Sequence, residues 1–285
     1  MDPAREKPFG SPFERIFVGA LAVMAGLTLA YLAARGPLFS GPIRYKTAAV
    51  INNQLIAQDA VNLFLLAPIL IAGGIALFLG RRIARDLLIA TPLYLIYYVL
   101  SYTVGWEWSS PAYTGNSQAF TFHFLVVLVA SLVILLYSLS LFPRNAVGRF
   151  KKRGLVLYSA AFSLFLLVFA AMWIREIVEV IATGATRGYD LAPTAFWLVR
   201  VFDLGFSVPL GLLSVYLVWA RPSSAYPLLS LFYGFFLTQI IAVNAMGWVM
   251  FLKRDPLFMA RDLVVFSVLA LIVFFGSVYV RRSYR

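Results

Sequence analysis

The chain has 285 residues, of which 62% are hydrophobic and 13% are charged, and its formal net charge is +12. An average soluble chain carries about 45–50% apolar and about 25% charged residues, so this composition excludes a single soluble globular domain. The chain contains no cysteine, which excludes disulfides, thiol nucleophiles and thiolate metal sites.

Uncharged apolar runs occur eight times along the chain, each near the length of about 20 residues that crosses a bilayer. They predict an all-α, polytopic integral membrane helix bundle that forms a single membrane domain over residues 1–285. A transmembrane β-barrel would instead show roughly ten-residue alternating segments. The predicted spans are residues 16–34, 58–80, 87–105, 119–142, 155–178, 194–220, 226–252 and 257–280.

Turn residues refine these boundaries. Residues 36–57 are too many for a tight turn, so we expect them to lie along the outer membrane interface, with a short helix over residues 48–56. Pro193 predicts the first turn of the sixth helix. Asp255 followed by Pro256 predicts the N-cap and first turn of the last helix in the same way.

The distribution of Lys and Arg predicts the orientation of the bundle. The connections Arg81–Arg85 and Arg144–Arg153 are basic, whereas residues 106–118 carry only Glu107 as a charged residue. Because basic loops stay on the cytoplasmic side, we expect both termini to face the cytoplasm and the chain to lie in the cytoplasmic (inner) membrane of a bacterium or archaeon. Basic residues spread along helix ends favour anionic lipid headgroups over nucleic acid as partners.

Two halves of four spans each share short patterns. The second and sixth spans both carry an Asp near the predicted outer end, Asp59 or Asp203, and a Pro deeper in the membrane. The third and seventh spans both begin with Pro and aromatic residues and reach a Gly-Trp pair. This similarity indicates either duplication into parallel halves or coincidence among apolar residues. The predicted halves are residues 1–150 and 151–285.

Polar side chains inside the spans are the candidate functional residues, because such groups are costly in hydrocarbon and usually face the bundle interior. In the predicted topology every intramembrane charge lies in the outer half. Arg200 and Asp203 lie on one polar stripe, and Asp59 and Asn62 share another helix face. We therefore predict an outward-open ligand-binding pocket. Its predicted lining residues are Asp59, Asn62, Tyr98, Tyr102, His123, Glu176, Arg200, Asp203 and Asn244.

A structural interpretation of the same residues stays open. Arg200 and Asp203 would then form an i,i+3 ion pair. The tyrosines would belong to the aromatic belt at the outer interface, and His123 would be a packing residue.

The residue inventory excludes several chemistries. No lysine lies within a predicted span, which excludes a retinal Schiff base, and His123 is the single histidine of the chain. Paired-histidine haem and the His-Glu-x-x-His zinc motif are therefore excluded. The sequence has no phosphate-binding glycine loop and no nucleophile elbow. We expect no cofactor and no metal centre.

Three short groups of residues follow one another across the second to seventh spans: Gln58–Asp59 with Pro68, Pro92 with Tyr94, Tyr97 and Tyr98, and Phe202–Leu204 with Pro209. In these groups the chain resembles a family of multi-pass membrane proteins of bacteria and archaea that has no assigned activity. The resemblance implies a membrane protein and supplies no substrate or cofactor.

Three functions fit these observations. The first is a multi-pass protein that binds or transports a small molecule or lipid headgroup from the outer side. The second is a membrane-embedded enzyme at the outer leaflet that uses carboxylates and His123 as acid and base, with Arg200 as an anion clamp. The third is an accessory subunit of a larger membrane complex. Expected partners are membrane lipids, an unidentified small molecule and a membrane-protein partner or second copy of the chain, but no nucleic acid.

Overall fold

A computed structural model describes residues 11–105, 111–142, 146, 148–186 and 188–284. Within these ranges eight helices are long and apolar enough to cross a membrane, and there is no strand. This confirms the predicted all-α bundle, and the chain is a multi-pass membrane protein. Spans 1 to 8 are Pro12–Arg35, Ala49–Phe78, Ile83–Tyr102, Ser117–Ser140, Lys152–Thr183, Pro193–Ala220, Tyr226–Leu252 and Ala260–Ser283. The loop residues Trp106, Glu107 and Arg144 and the basic residues before position 11 lie outside the described ranges.

The predicted and observed ends of the spans differ by at most five residues, except at the start of span 2. Span 7 covers the predicted residues 226–252, and span 6 begins at Pro193 as predicted. Span 2 begins at Ala49 rather than at residue 58. Residues 48–56, predicted as a separate interfacial helix, instead continue directly into this span.

The start of span 8 also differs from the prediction, because the Asp255 side chain serves another purpose. Its Oδ1 accepts a hydrogen bond from the Leu257 N–H at 2.8 Å, which turns the loop back on itself. Its Oδ2 accepts a hydrogen bond from Asn53 Nδ2 at 2.6 Å and so joins this loop to the first turn of span 2. Span 8 begins only at Ala260, so the prediction of Asp255 as its N-cap was wrong.

Spans 1 to 4 form a ring in which each span contacts the next and span 4 contacts span 1. Spans 1 and 2 approach closely through glycines, since a Cβ atom on Gly74 would lie 2.6 Å from the carbonyl oxygen of Gly19. Span 7 packs against spans 2, 3 and 8. Half of the apolar segment of span 2 and of span 3 is buried, against 17% of that of span 5. Spans 2 and 3 are therefore central, and span 5 is peripheral.

Spans 2 and 6 contain the same irregularity, a π-helical turn. The turns are Asn62–Leu66 and Asp203–Ser207, and a proline follows each at the second position. Proline lacks the N–H group that an α-helix requires at this point, and π-turns are frequent at functional sites. The turns make Asn62, rather than Asp59, the counterpart of Asp203. This similarity supports the predicted four-plus-four repeat, which stays a prediction.

Candidate functional site

The nine residues predicted to line one pocket lie in two clusters and at two further places. The Asp59 cluster consists of Tyr45, Gln58, Asp59, Asn62, Tyr94, Tyr98 and Tyr102. The Arg200 cluster consists of Trp173, Glu176, Arg200, Asp203 and Ser207. His123 and Asn244 belong to neither cluster. Tyr97 lies between the two clusters, because its ring packs on that of Phe202, the residue before Asp203, and its hydroxyl interacts with Asp203 and with Tyr94.

The Asp59 carboxylate is fully buried against the end of span 1. Its Oδ2 accepts a hydrogen bond from the Leu38 N–H at 3.2 Å. Gly36 lies so close to the carboxylate that a Cβ atom there would collide with it. Among the described residues no basic side chain forms an ion pair with Asp59, so this acid is enclosed without a counter-charge.

A layer of amide and hydroxyl groups lies one helical turn further along span 2. Asn62 Oδ1 accepts hydrogen bonds from the Tyr94 hydroxyl at 3.3 Å and from Gln58 Nε2 at 3.4 Å. Gln58 Nε2 also donates to the Tyr94 hydroxyl. All three side chains are buried, so spans 2 and 3 are joined by polar contacts at this depth.

Aromatic rings enclose the cluster on the side of spans 3 and 4. The Tyr102 ring meets the Tyr98 ring at 4.5 Å and the edge of the Tyr45 ring at 4.8 Å, measured between ring centroids. The Tyr98 ring is also 6.1 Å from that of Phe124. Burial, and then the charge of Asp59, raise the pKa of the Tyr45 hydroxyl well above its usual value of 10.0. Tyr45 therefore stays neutral at physiological pH.

Tyr45 belongs to the connection between spans 1 and 2, and we call residues 36–48 the capping segment. A second connection holds it in place, because Asn116 Oδ1 accepts a hydrogen bond from the Arg44 N–H and Asn116 Nδ2 donates to the Pro42 carbonyl, both at 2.8 Å. The Asn116 N–H donates to the Arg44 carbonyl at the same distance. The capping segment thus covers the Asp59 cluster, which is closed rather than outward-open.

Four buried polar atoms of the Asp59 cluster have no hydrogen-bond partner within the described ranges. They are Asp59 Oδ1, Asn62 Nδ2 and the hydroxyls of Tyr45 and Tyr98. Their residues are at most 5% exposed. The Tyr45 and Tyr98 hydroxyls interact with each other and with Asp59, but no hydrogen bond of ordinary geometry joins the two hydroxyls. Buried polar groups in native proteins nearly always have partners, so four such atoms at one place are unusual.

The Arg200 cluster is different, because its charged groups satisfy one another. Arg200 donates two hydrogen bonds to Glu176 Oε2, from Nη2 and, at 3.1 Å, from Nε. Its guanidinium carbon lies 4.2 Å from the Trp173 ring and 3.9 Å from the Phe196 ring, which are cation–π distances. An ion pair and two aromatic faces therefore hold this cation.

Both oxygens of the Asp203 carboxylate also have partners. Oδ2 accepts a hydrogen bond from Trp173 Nε1 at 3.1 Å, and Oδ1 accepts one from the Ser207 hydroxyl at 3.2 Å. The i,i+3 ion pair with Arg200, left open on the sequence, is not formed, because Arg200 pairs with Glu176 of span 5.

His123 and Asn244 make contacts elsewhere. The His123 ring stacks on Tyr31 of span 1 at 5.1 Å, while its neighbour Phe124 faces the tyrosines of the Asp59 cluster. Asn244 Nδ2 donates to the Ile240 and Phe266 carbonyls, and its Oδ1 accepts from the Ser267 hydroxyl at 3.0 Å. Asn244 therefore links span 7 to span 8.

Sequence reasoning left four important side chains out of the predicted pocket. Gln58 and Trp173 had a usable signal, because they lie four residues before Asn62 and three before Glu176, on the same helix faces. Tyr94 precedes Tyr98 by one turn. Tyr45 had no such signal, because it lies in a connection whose path depends on tertiary contacts.

No known protein family, curated protein or solved structure matches the chain. The family resemblance and the predicted membrane, orientation and partners therefore stay predictions.

Proposed function

We propose that this membrane protein binds a small monovalent cation at Asp59 and carries it through the bundle. The observation that supports this most is a fully buried carboxyl group with one partnerless oxygen and no basic partner in the described part of the chain. Burying a charge without a partner costs several kcal/mol. Either a proton on Asp59 or a bound cation can neutralise this group, and the partnerless oxygen atoms beside it favour the bound cation.

The donor atoms favour a small, hard cation. Three of the four partnerless atoms are oxygens, from Asp59, Tyr45 and Tyr98, and oxygen ligands suit hard cations. A single carboxylate balances one positive charge, whereas a divalent ion would leave a net charge in a low-dielectric interior. No group of three His, Cys, Asp or Glu side chains occurs among the residues described. A site for a weakly held monovalent ion therefore differs from a metal centre, which the sequence analysis does not predict.

The capping segment provides the means of access. It contributes the Leu38 N–H and the Tyr45 ring to the cluster, and Asn116 holds it closed. Displacing the segment would expose Asp59 at the end of span 1. Lids commonly close over a bound solute before the next step of its processing. By analogy, we assign this structure to the closed state of a carrier.

Thermal unfolding in detergent tests the binding step. Sodium chloride is titrated against N-methylglucamine chloride at constant total salt, and potassium chloride is titrated in parallel. At a cation concentration about a hundredfold above the dissociation constant, binding stabilises the folded state by about 2.7 kcal/mol. The midpoint temperature of unfolding should therefore rise. The rise should vanish in Asp59→Asn and persist in Asp262→Asn, which removes an equal charge from an exposed position at the start of span 8.

Radioactive sodium or potassium uptake into proteoliposomes tests the carriage step with the same variants. We expect uptake by the wild-type chain and by Asp262→Asn, and background uptake by Asp59→Asn. If neither ion raises the unfolding midpoint, the cation site is refuted. A midpoint that responds to an ion without any uptake would keep the binding site and refute carriage.

A further inference from the structure

A second site, remote from the Asp59 cluster, lies where span 5 begins and span 8 ends. We propose that it binds the phosphate of an anionic phospholipid. A pocket of about 400 Å³ opens there. Because spans alternate in direction, this is the end of the bundle opposite the capping segment. The proposal is independent of the cation site.

Basic side chains dominate the polar lining of this pocket. Arg149, Lys151 and Arg282 line it, and all three are exposed. The Arg149 N–H donates a hydrogen bond to the Ser283 carbonyl at 2.7 Å, which holds the segment before span 5 against the end of span 8. No acidic side chain lines the pocket. Three neighbouring cations repel one another, so an anion between them is favoured.

The start of span 5 adds two further features that suit an anion. Lys151 is the N-cap of this 32-residue helix, its side chain makes no capping hydrogen bond, and the first turn contains no acidic residue. The positive end of the helix dipole is therefore available to a phosphate. Tyr279, which also lines the pocket, has a buried hydroxyl without a hydrogen-bond partner among the described residues. This hydroxyl lies beside Gly154 in the first turn of span 5.

The apolar wall of the pocket identifies a lipid rather than a soluble phosphate. Leu271, Phe275, Val278 and Arg282 follow one another at four-, three- and four-residue steps and so lie along one face of span 8. Leu271 is 57% and Phe275 63% exposed, on a helix that crosses the membrane. An acyl chain can lie along this face while its phosphate reaches Arg282, as expected for a basic pocket between spans.

Native mass spectrometry of the full chain tests this proposal. The protein is taken from nanodiscs of phosphatidylglycerol and phosphatidylcholine, and retained lipid is counted. The site variant is Arg149→Gln/Lys151→Gln/Arg282→Gln. The control is Lys152→Gln/Arg153→Gln/Arg281→Gln, which removes the same charge from adjacent residues that do not line the pocket. Since each basic residue contributes to headgroup attraction, the site variant should retain phosphatidylglycerol at least about tenfold less than wild type.

The control variant should retain phosphatidylglycerol within about twofold of wild type, because non-lining charges attract lipid only diffusely. Equal losses in both variants would show attraction by the basic surface alone and overturn the proposal. A parallel arm adds inorganic phosphate. Displacement of the lipid by inorganic phosphate at comparable concentration would assign the pocket to a soluble phosphate compound and also overturn it. Circular dichroism of both variants confirms that each is folded.

Discussion

The Asp59 and Arg200 clusters contain similar groups but differ in how completely their polar atoms are paired. Each includes a carboxylate, aromatic side chains and a π-helical turn beginning at Asn62 or Asp203. In the Arg200 cluster every charged group meets a partner from another span or from the next helical turn. In the Asp59 cluster four buried atoms meet none among the described residues. The difference separates a cluster whose charged groups stabilise the bundle from the cluster that we propose to bind a cation.

The largest expected effect is a loss of folding stability when the Arg200 cluster is altered. Glu176→Ala removes the acidic partner of Arg200. The Arg200 side chain is only 12% exposed, and the Glu176 side chain is 30% exposed. Breaking a buried ion pair typically costs about 3–5 kcal/mol, and the exposure of Glu176 places this variant near about 3 kcal/mol. Reversible unfolding in mixed micelles measures the loss. Glu179→Ala, an exposed acid one turn later, should change stability by less than about 0.5 kcal/mol; equal effects would contradict a structural role for the cluster.

The second prediction concerns the carboxylate without a counter-charge. Asp59→Asn keeps an oxygen for the Leu38 N–H but removes the buried charge. In buffer free of alkali cations, the variant should be more stable than wild type by at least about 1 kcal/mol, which is the lower end of the cost of an unsatisfied buried group. The same unfolding assay measures this gain. A loss of several kcal/mol would instead show that Asp59 has an internal partner, and the contrast between the clusters would fail.

The span map could be predicted because bilayer thickness determines the length of an apolar run. The predicted start of span 2 was wrong because polar residues lie there, since Asn52, Asn53 and Gln54 open the α-helical part of this span. Hydropathy alone predicts a loop for a run of residues with amide side chains. Tertiary contacts such as that of Asn53 with Asp255 accommodate these amides inside a helix, and hydropathy cannot show such contacts.

The site could be predicted only within single helices. Helical spacing places Asp59 with Asn62, and Arg200 with Asp203, on shared helix faces, but it gives no information on which spans are neighbours. The arrangement of these residues in two clusters therefore could not be predicted. His123 and Phe124 illustrate the same limit, because successive helical residues point about 100° apart. Only the packing of span 4 shows that Phe124, and not His123, faces the tyrosines.

The smallest effect tests the comparison inside the Asp59 cluster, with two tyrosines one helical turn apart. Tyr94→Phe removes a hydroxyl that donates to Asn62 Oδ1, and hydrogen bonds between membrane helices contribute about 0.6 kcal/mol on average. Tyr98→Phe removes a hydroxyl that interacts with the Tyr45 hydroxyl but forms no hydrogen bond of ordinary geometry in the described structure, so stability should fall by less. Unfolding of both variants in cation-free micelles measures the difference.

For cation binding, the order of the two effects should reverse. Tyr98 is the proposed ligand, so Tyr98→Phe should weaken the sodium- or potassium-dependent rise in the unfolding midpoint more than Tyr94→Phe does. Equal behaviour of the two variants in both assays would remove the distinction between paired and partnerless hydroxyls on which the site rests.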